Sequence, residues 1–236
     1  MPEPLLDVHA IDAFYGDFQA LFGISFEVGE QEIVALIGAN GAGKTTFLRA
    51  LLNHAVRTTG AVRFDGHNVA KLPTEAIARL GVAMTPEGRG LFPSLTVEEN
   101  LLIGEQTRRL GRWKLKDVYE LFPALKETRR RSAGQISGGQ QQMVAIGRAL
   151  LANPRLLLCD EISLGLAPKV INDIYQVLPE IRQNGIAVIL VEQDVIRARA
   201  ASDRFYCFLE GRVALQGKSA EFGIDAISRA YFGAES

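Results

Sequence analysis

Three short stretches in this chain of 236 residues carry side chains whose types and spacing could do chemistry on a phosphate. "GANGAGKT", from Gly38 to Thr45, has the form G-x-x-x-x-G-K-[ST]. Glycines in such a loop let the backbone curl until its amides converge on an anion, and a following helix adds its positive N-terminal end. Lys44 would neutralise the β- and γ-phosphates of a nucleotide, and the Thr45 hydroxyl would ligate Mg²⁺. "LLLCDE", residues 156–161, is an apolar run that ends in two acids. Asp160 suits the shell of the same ion, and Glu161 suits polarising an attacking water. "ISGGQ", residues 136–140, opens a segment in which Met143, Ile146, Ala149 and Leu150 recur at helical spacing. Ser137 fits a helix N-cap. Gly138 and Gly139 cost helix propensity and need another reason, such as close approach to a second anion. Each stretch alone has a plainer reading: a glycine-rich turn, a strand ending in acids, a well-capped helix. Their order and combination argue for the chemical one.

The elements that must hold these residues can be read around them. "GISFEVGEQEIVALIG" reads as two strands joined at Gly29-Glu30, the second, Ile33 to Ile37, apolar enough to be buried. A helix is predicted from Gly43 to about His54, so the glycine loop joins a strand to a helix, as phosphate binding requires. "LLDVHAIDAFY" alternates loosely, "GAVRFDGHNV" predicts a hairpin at Asp65-Gly66, "LPTEAIARLG" a short helix and "VAMTP" a short strand. Residues 88–150 change character. Thr96 and Glu99 form a capping box ahead of an apolar run, a second helix is predicted over Leu115 to Phe122, and the Ser137 segment supplies a third. No strand is expected there, and "RRR" at 129–131 reads as a solvated helix end. Beyond it follow the 156–161 strand, a helix over Pro168 to Gln183, the strand "IAVILVE", a helix to about Ala201, and "RFYCFLEGRVALQG" as a hairpin. Buried strands alternating with helices imply a layered α/β fold with a mostly parallel sheet.

Composition narrows the class. Apolar residues make up 47% and charged residues 22%, as in an ordinary globular protein. A formal net charge of −1 gives no electrostatic case for nucleic acid. Cys159 and Cys207 both lie in apolar runs and read as core residues of a reduced cytosolic protein. No run approaches the roughly eighteen apolar residues of a membrane span, and "MPEPLLDVHA" lacks the pattern of a signal peptide. Work at a membrane would have to go through a partner.

The glycine loop, a helical stretch, "ISGGQ" and then "LLLCDE" together resemble the ATPase subunit of ABC transporters over nearly the whole chain. The Ser-Gly-Gly-Gln element discriminates, because other P-loop families lack it. The resemblance implies one ABC ATPase domain with a P-loop NTPase (RecA-like) core over 1–87 and 151–236, an N-terminal antiparallel β portion, and a helical subdomain over 88–150. It implies ATP and Mg²⁺ as ligands. Nucleotide binding falls to Tyr15, as the aromatic on adenine, and to Gly38, Ala39, Asn40, Gly41, Ala42, Gly43, Lys44, Thr45 and Thr46. Ser137, Gly138, Gly139 and Gln140 would serve the ATP of a partner subunit, so one chain is half of a composite enzyme.

Some positions depart from the family pattern. Glu87 stands where most members have Gln beside the metal, Gln193 where most have a switch His, Ala167 where an Asp is usual, and Ile162 where Pro commonly follows the catalytic Glu. "PEGRGLFPSLTVEENL", "SLGLAP" and "LVEQ" look like the LivF-type ATPase of branched-chain amino-acid importers; urea and short-chain amide importers use a very similar subunit. That likeness implies Glu161 and Gln193 as the catalytic pair and Thr45, Asp160 and Glu87 around the metal. It also implies a dimer with a paralogous ATPase, two membrane permease subunits, an extracytoplasmic binding protein, and a place on the cytoplasmic face of the plasma membrane. An exporter or lipid-transport ATPase of the same fold is the alternative. An ABC protein of DNA repair would need a long coiled coil, and only about ninety residues separate Thr45 from Ser137; a translation member usually carries two cassettes. A P-loop kinase would leave "ISGGQ" unexplained.

Overall fold

The computed structural model describes residues 3–233. The chain begins with strands β1 (Leu6–Tyr15), β2 (Phe18–Val28) and β3 (Ile33–Ile37), helix α1 (Lys44–Leu51), strands β4 (Arg57–Phe64) and β5 (His67–Asn68), and helix α2 (Thr74–Leu80). Then come β6 (Val82–Thr85), α3 (Val97–Leu102), α4 (Leu115–Leu121), α5 (Pro123–Thr128), α6 (Gly138–Leu151) and β7 (Leu156–Asp160). The last part holds α7 (Pro168–Gln176), α8 (Leu178–Gln183), β8 (Ala187–Glu192), α9 (Val195–Ala201), β9 (Arg204–Leu209), β10 (Arg212–Lys218) and α10 (Ile224–Phe232). These elements form two compact units, residues 1–77 with 187–236, and residues 78–186.

In the first unit β2, β1, β4 and β5 make an antiparallel sheet in that order. Asp65 and Gly66 both have positive φ and close the β4–β5 hairpin, as Asp-Gly does in a type I′ turn. Strand β3 is buried along its whole length and pairs in parallel with β8 on one side and β9 on the other. β10 pairs antiparallel with β9. Ala35, Ile37, Phe205 and Cys207 share a core with Ala198 of α9 and Ile227 of α10. Phe47 of α1 meets Phe26 of β2 at 4.8 Å and Phe208 of β9 at 5.5 Å between ring centroids. Those aromatic contacts seat the helix that follows the glycine loop. Burial pushes the Cys207 thiol up to about 11, and both cysteines are buried, which fits packing roles.

In the second unit β6 and β7 pair in parallel. Helix α6 packs against α3, α4 and α5. Leu101, Val118, Leu125, Ile146 and Leu150 are at most 1% exposed, each contributing roughly 1.5–3 kcal/mol of hydrophobic transfer. The Thr96–Glu99 capping box forms as expected. Asn100, fully buried, accepts from the Phe92 amide at 2.9 Å and donates to the carbonyls of Phe92, Leu95 and Thr96 at 3.0–3.3 Å. Asn100→Ala is expected to destabilise the protein by about 3 kcal/mol, because it strands several buried backbone groups at once. A melting curve checks it; a midpoint equal to that of the parent contradicts it.

Two expectations are corrected, and two helices were not expected. Helix α1 stops at Leu51, not His54. Asn53, at φ 49°, turns its side-chain amide onto the carbonyls of Val69 and Leu72. The helix expected over Pro168 to Gln183 is two, α7 and α8, because Pro179 has no N–H for a bond one turn back. "RRR" does lie at a helix end, with Arg130 and Arg131 exposed, but the helix it ends, α5, only six residues long, was not revealed by periodicity. Helix α10, beyond the last hairpin, was also unexpected; it buries Ile227.

Candidate functional site

In the first unit, residues 38–43 run from the end of β3 into α1. The loop is held from within by the Ala42 amide on the Ala39 carbonyl at 3.1 Å, and from outside by the Gly211 amide on the Ala42 carbonyl at 3.0 Å. Gly43 caps α1 at φ 103°, and a Cβ there would lie 2.7 Å from Leu21 Cδ2. Only glycine meets both demands. Lys44 is 4% exposed, and its ammonium donates to the carbonyls of Gly38 at 2.7 Å and Ala39 at 3.0 Å. The charge is therefore curled back over the loop that would cradle phosphates. Thr45 and Thr46 open α1. Tyr15 is tied to that first turn: its hydroxyl lies 3.3 Å from Thr46 Oγ1 and accepts from Arg49 Nη1 at 3.1 Å. The residue as a whole is 36% exposed.

Gln193 joins this group through sheet register. Ile37 of β3 pairs with Glu192 of β8, so Gly38 and Gln193 leave the same sheet edge side by side. Asp194 then caps α9, accepting from the Arg197 amide at 2.9 Å.

The second unit assembles the remaining residues. Thr85 of β6 pairs with Cys159 of β7, so the turn carrying Glu87 and the acids Asp160 and Glu161 emerge from one edge. Glu87 is exposed and Asp160 is 1% exposed. Glu161 lies just past the strand at φ 48°, a left-handed conformation that a side chain rarely adopts and that functional sites often hold. Ile162 is fully buried; where the family commonly has proline, this chain packs a core side chain. Ala167 caps α7 with no side-chain hydrogen bond.

Ser137 caps α6 in a full capping box: its hydroxyl accepts from the Gln140 amide at 3.2 Å, and Gln140 Oε1 accepts from the Ser137 amide at 3.1 Å. Gly139 has a packing reason as well, since a Cβ there would sit 2.5 Å from Val170 Cγ1. Sequence reasoning passed over Arg89 and Gln141. Arg89 Nη1 donates to Gln141 Oε1 at 3.0 Å, joining the Glu87 turn to α6. It also passed over Phe18, 70% exposed and paired with Tyr15 across the β1–β2 hairpin. Adjacent exposed aromatics flanking a Gly-Asp turn were the available signal.

Residues 21–163 match the ABC transporter family. The chain belongs to that family. It is an ATP-binding, ATP-hydrolysing protein. This ABC ATPase is 44% identical to the high-affinity branched-chain amino acid transport ATP-binding protein BraG of Pseudomonas aeruginosa, over 92% of this chain and 94% of BraG. To BraF of the same organism, also a high-affinity branched-chain amino acid transport ATP-binding protein, it is 32% identical over 92% of each chain. Its fold is similar to the ADP conformation of MJ1267, an ATP-binding cassette of an ABC transporter, at TM-score 0.79 and 26% identity, covering 96% of this chain and 94% of that one. It is similar also to MJ0796, an ATP-binding cassette solved as a dimer in a post-hydrolysis state bound to ADP and phosphate, at TM-score 0.80 and 25% identity, covering 91% and 98%.

Proposed function

We propose that this ATPase powers import of branched-chain amino acids as one of two paralogous ATP-binding subunits, on the cytoplasmic face of the plasma membrane beneath two permease subunits fed by an extracytoplasmic binding protein. The observation that carries the reading is its asymmetry toward two relatives from one organism. Pseudomonas aeruginosa has both BraG and BraF, and this chain is much nearer BraG. In function the chain is one domain, with residues 88–150 as a helical subdomain within it.

The chemistry follows from the residues. ATP would take Lys44 Nζ from the Gly38 and Ala39 carbonyls onto its β/γ-phosphates, with the Tyr15 ring against adenine and the amides from Ala39 to Thr46 on the phosphates. Ser137, Gly138, Gly139 and Gln140 would meet the γ-phosphate held by the partner, so that ATP closes the dimer and hydrolysis lets it open. The residues that would hold Mg²⁺ are Thr45, through its hydroxyl, and Asp160 and Glu87, through their carboxylates, all hard oxygens. The ion would supply charge neutralisation on the nucleotide's phosphates. Glu161 polarises the attacking water.

Gln193 cannot titrate, but its amide can donate to the γ-phosphate and its carbonyl can accept from the water. Glu161 is then the sole acid-base group. Gln193→Ala is expected to lower turnover roughly tenfold or more, and Gln193→His to preserve or raise it. The whole reading is tested in vesicles holding the assembled transporter, by ATP-driven leucine uptake with Glu161→Gln in this subunit alone. Unchanged uptake and ATP consumption would make the chain a nucleotide-binding regulator; no uptake of branched-chain amino acids by the parent would remove the substrate assignment.

A further inference from the structure

The turn that follows β6 carries a cation whose charge nothing in the second unit balances. Arg89 sits at φ 69°, an uncommon conformation for a residue with a side chain. Its guanidinium lies over the start of α6: a Cβ on Gly138 would be 3.2 Å from Arg89 Nη2 and 3.6 Å from both Cζ and Nη1. Among the described residues, the sole acceptor it reaches is the neutral amide oxygen of Gln141, at 3.0 Å. Its Nε is buried and makes no hydrogen bond. Among the described residues, no carboxylate pairs with it. A second guanidinium comes close, since Arg148 donates to the carbonyls of Gly90 at 2.8 Å and Arg89 at 3.1 Å, and it too pairs with no described carboxylate.

Helix N-termini carry positive partial charge, so a cation parked at one is repelled. A guanidinium has five donors in a planar fork suited to two oxygens of one anion. Arg89 offers that fork beside the bare amides of Gly138 and Gly139, with another arginine behind it. Holding the Glu87 turn in place would need no charge, because a neutral donor could bond Gln141 equally well. An anion arriving at α6 turns the repulsion into attraction and supplies the acceptors that Arg89 lacks.

We propose that Arg89 is a phosphate-binding residue of the composite site, donating to the terminal phosphate of the partner subunit's ATP alongside the first amides of α6. The inference rests on the reading that Ser137, Gly138 and Gly139 act on the partner's nucleotide.

The test follows association of the Glu161→Gln chain, with itself or with its partner ATPase, by light scattering as ATP is raised. Adding Arg89→Ala is expected to raise the ATP needed for half-association roughly ten- to a hundredfold, the worth of a charge-assisted hydrogen bond or two. Binding of fluorescent ATP by the isolated chain stays within about twofold, because the phosphate contacted belongs to the other subunit. Arg89→Lys recovers part of the loss, keeping the charge without the fork. Gln141→Ala removes the guanidinium's one acceptor and leaves association within about threefold of the parent. Unchanged association in Arg89→Ala, or an equal loss in Gln141→Ala, overturns the proposal and makes Arg89 a clamp on the turn or a bystander. If the parent Glu161→Gln chain itself never associates under ATP, the reading of α6 falls and Arg89's role falls with it. Association of the parent with no effect of Arg89→Ala removes Arg89 alone.

Discussion

Lys44→Ala is expected to abolish ATP turnover while leaving the protein folded. The lysine is 4% exposed, yet its ammonium lies on the Gly38 and Ala39 carbonyls, so its charge is stored inside the loop before nucleotide arrives. A unit charge about 4 Å from a phosphate is worth on the order of 4 kcal/mol at the effective dielectric of a partly buried site. That corresponds to roughly a thousandfold in rate or affinity. The fold should tolerate the change. Loop position is set by the backbone bonds of Ala42 with Ala39 and Gly211, and α1 is seated by Phe47 between Phe26 and Phe208. Turnover measured beside a melting curve separates the two effects. Turnover above about a tenth of the parent would mean the loop amides alone carry the phosphates and the lysine is not their counter-charge.

Much of this arrangement was legible because local chemistry and tertiary role coincide. The run Ile33 to Ile37 is apolar at every position, and the strand is buried on both faces, with parallel neighbours on either side. Asp65-Gly66, Thr96 with Glu99, and Ser137 each announce a turn or cap that depends on a few adjacent residues, and each forms. What escaped was decided at a distance. Asn53 abandons α1 for carbonyls sixteen or more residues away, and no local signal reports that. Gly139 reads as an anion site, but it must also clear Val170 on a different helix. The bond from Arg89 to Gln141 joins positions separated by 52 in the chain, and Gln141 next to the Ser-Gly-Gly-Gln element looked like an ordinary helix residue. Pro179 is a different failure: the breaker was visible, but the apolar period on both sides of it outweighed it.

Glu161→Gln is expected to separate binding from hydrolysis, and its effect should be the mirror of the lysine change. Leu156 to Cys159 are buried to within about 1% exposure and lock β7, so the residues leaving its end are carried by a rigid strand. Glu161 turns out of it at φ 48°, and its carbonyl accepts from the Leu164 amide at 3.1 Å. Glutamine has the same length and pays no more for that backbone than glutamate does, so the turn should persist. A neutral amide, however, cannot take a proton from water. Losing a general base typically costs about 10²–10⁴ in rate. The charges that bind ATP, on Lys44 and at the start of α6, are untouched, so nucleotide is held but not cleaved. The γ-phosphate that joins the two subunits then stays in place, and the closed dimer accumulates. Sizing chromatography with ATP should show the dimer, with unhydrolysed nucleotide eluting in it. Lys44→Ala under the same conditions should elute as a monomer. A Glu161→Gln chain that neither dimerises nor retains ATP, with itself or with its partner ATPase, would take the water-activating role away from Glu161. Any general base would then have to come from elsewhere in the site, and Gln193, which cannot accept a proton at neutral pH, would not supply it.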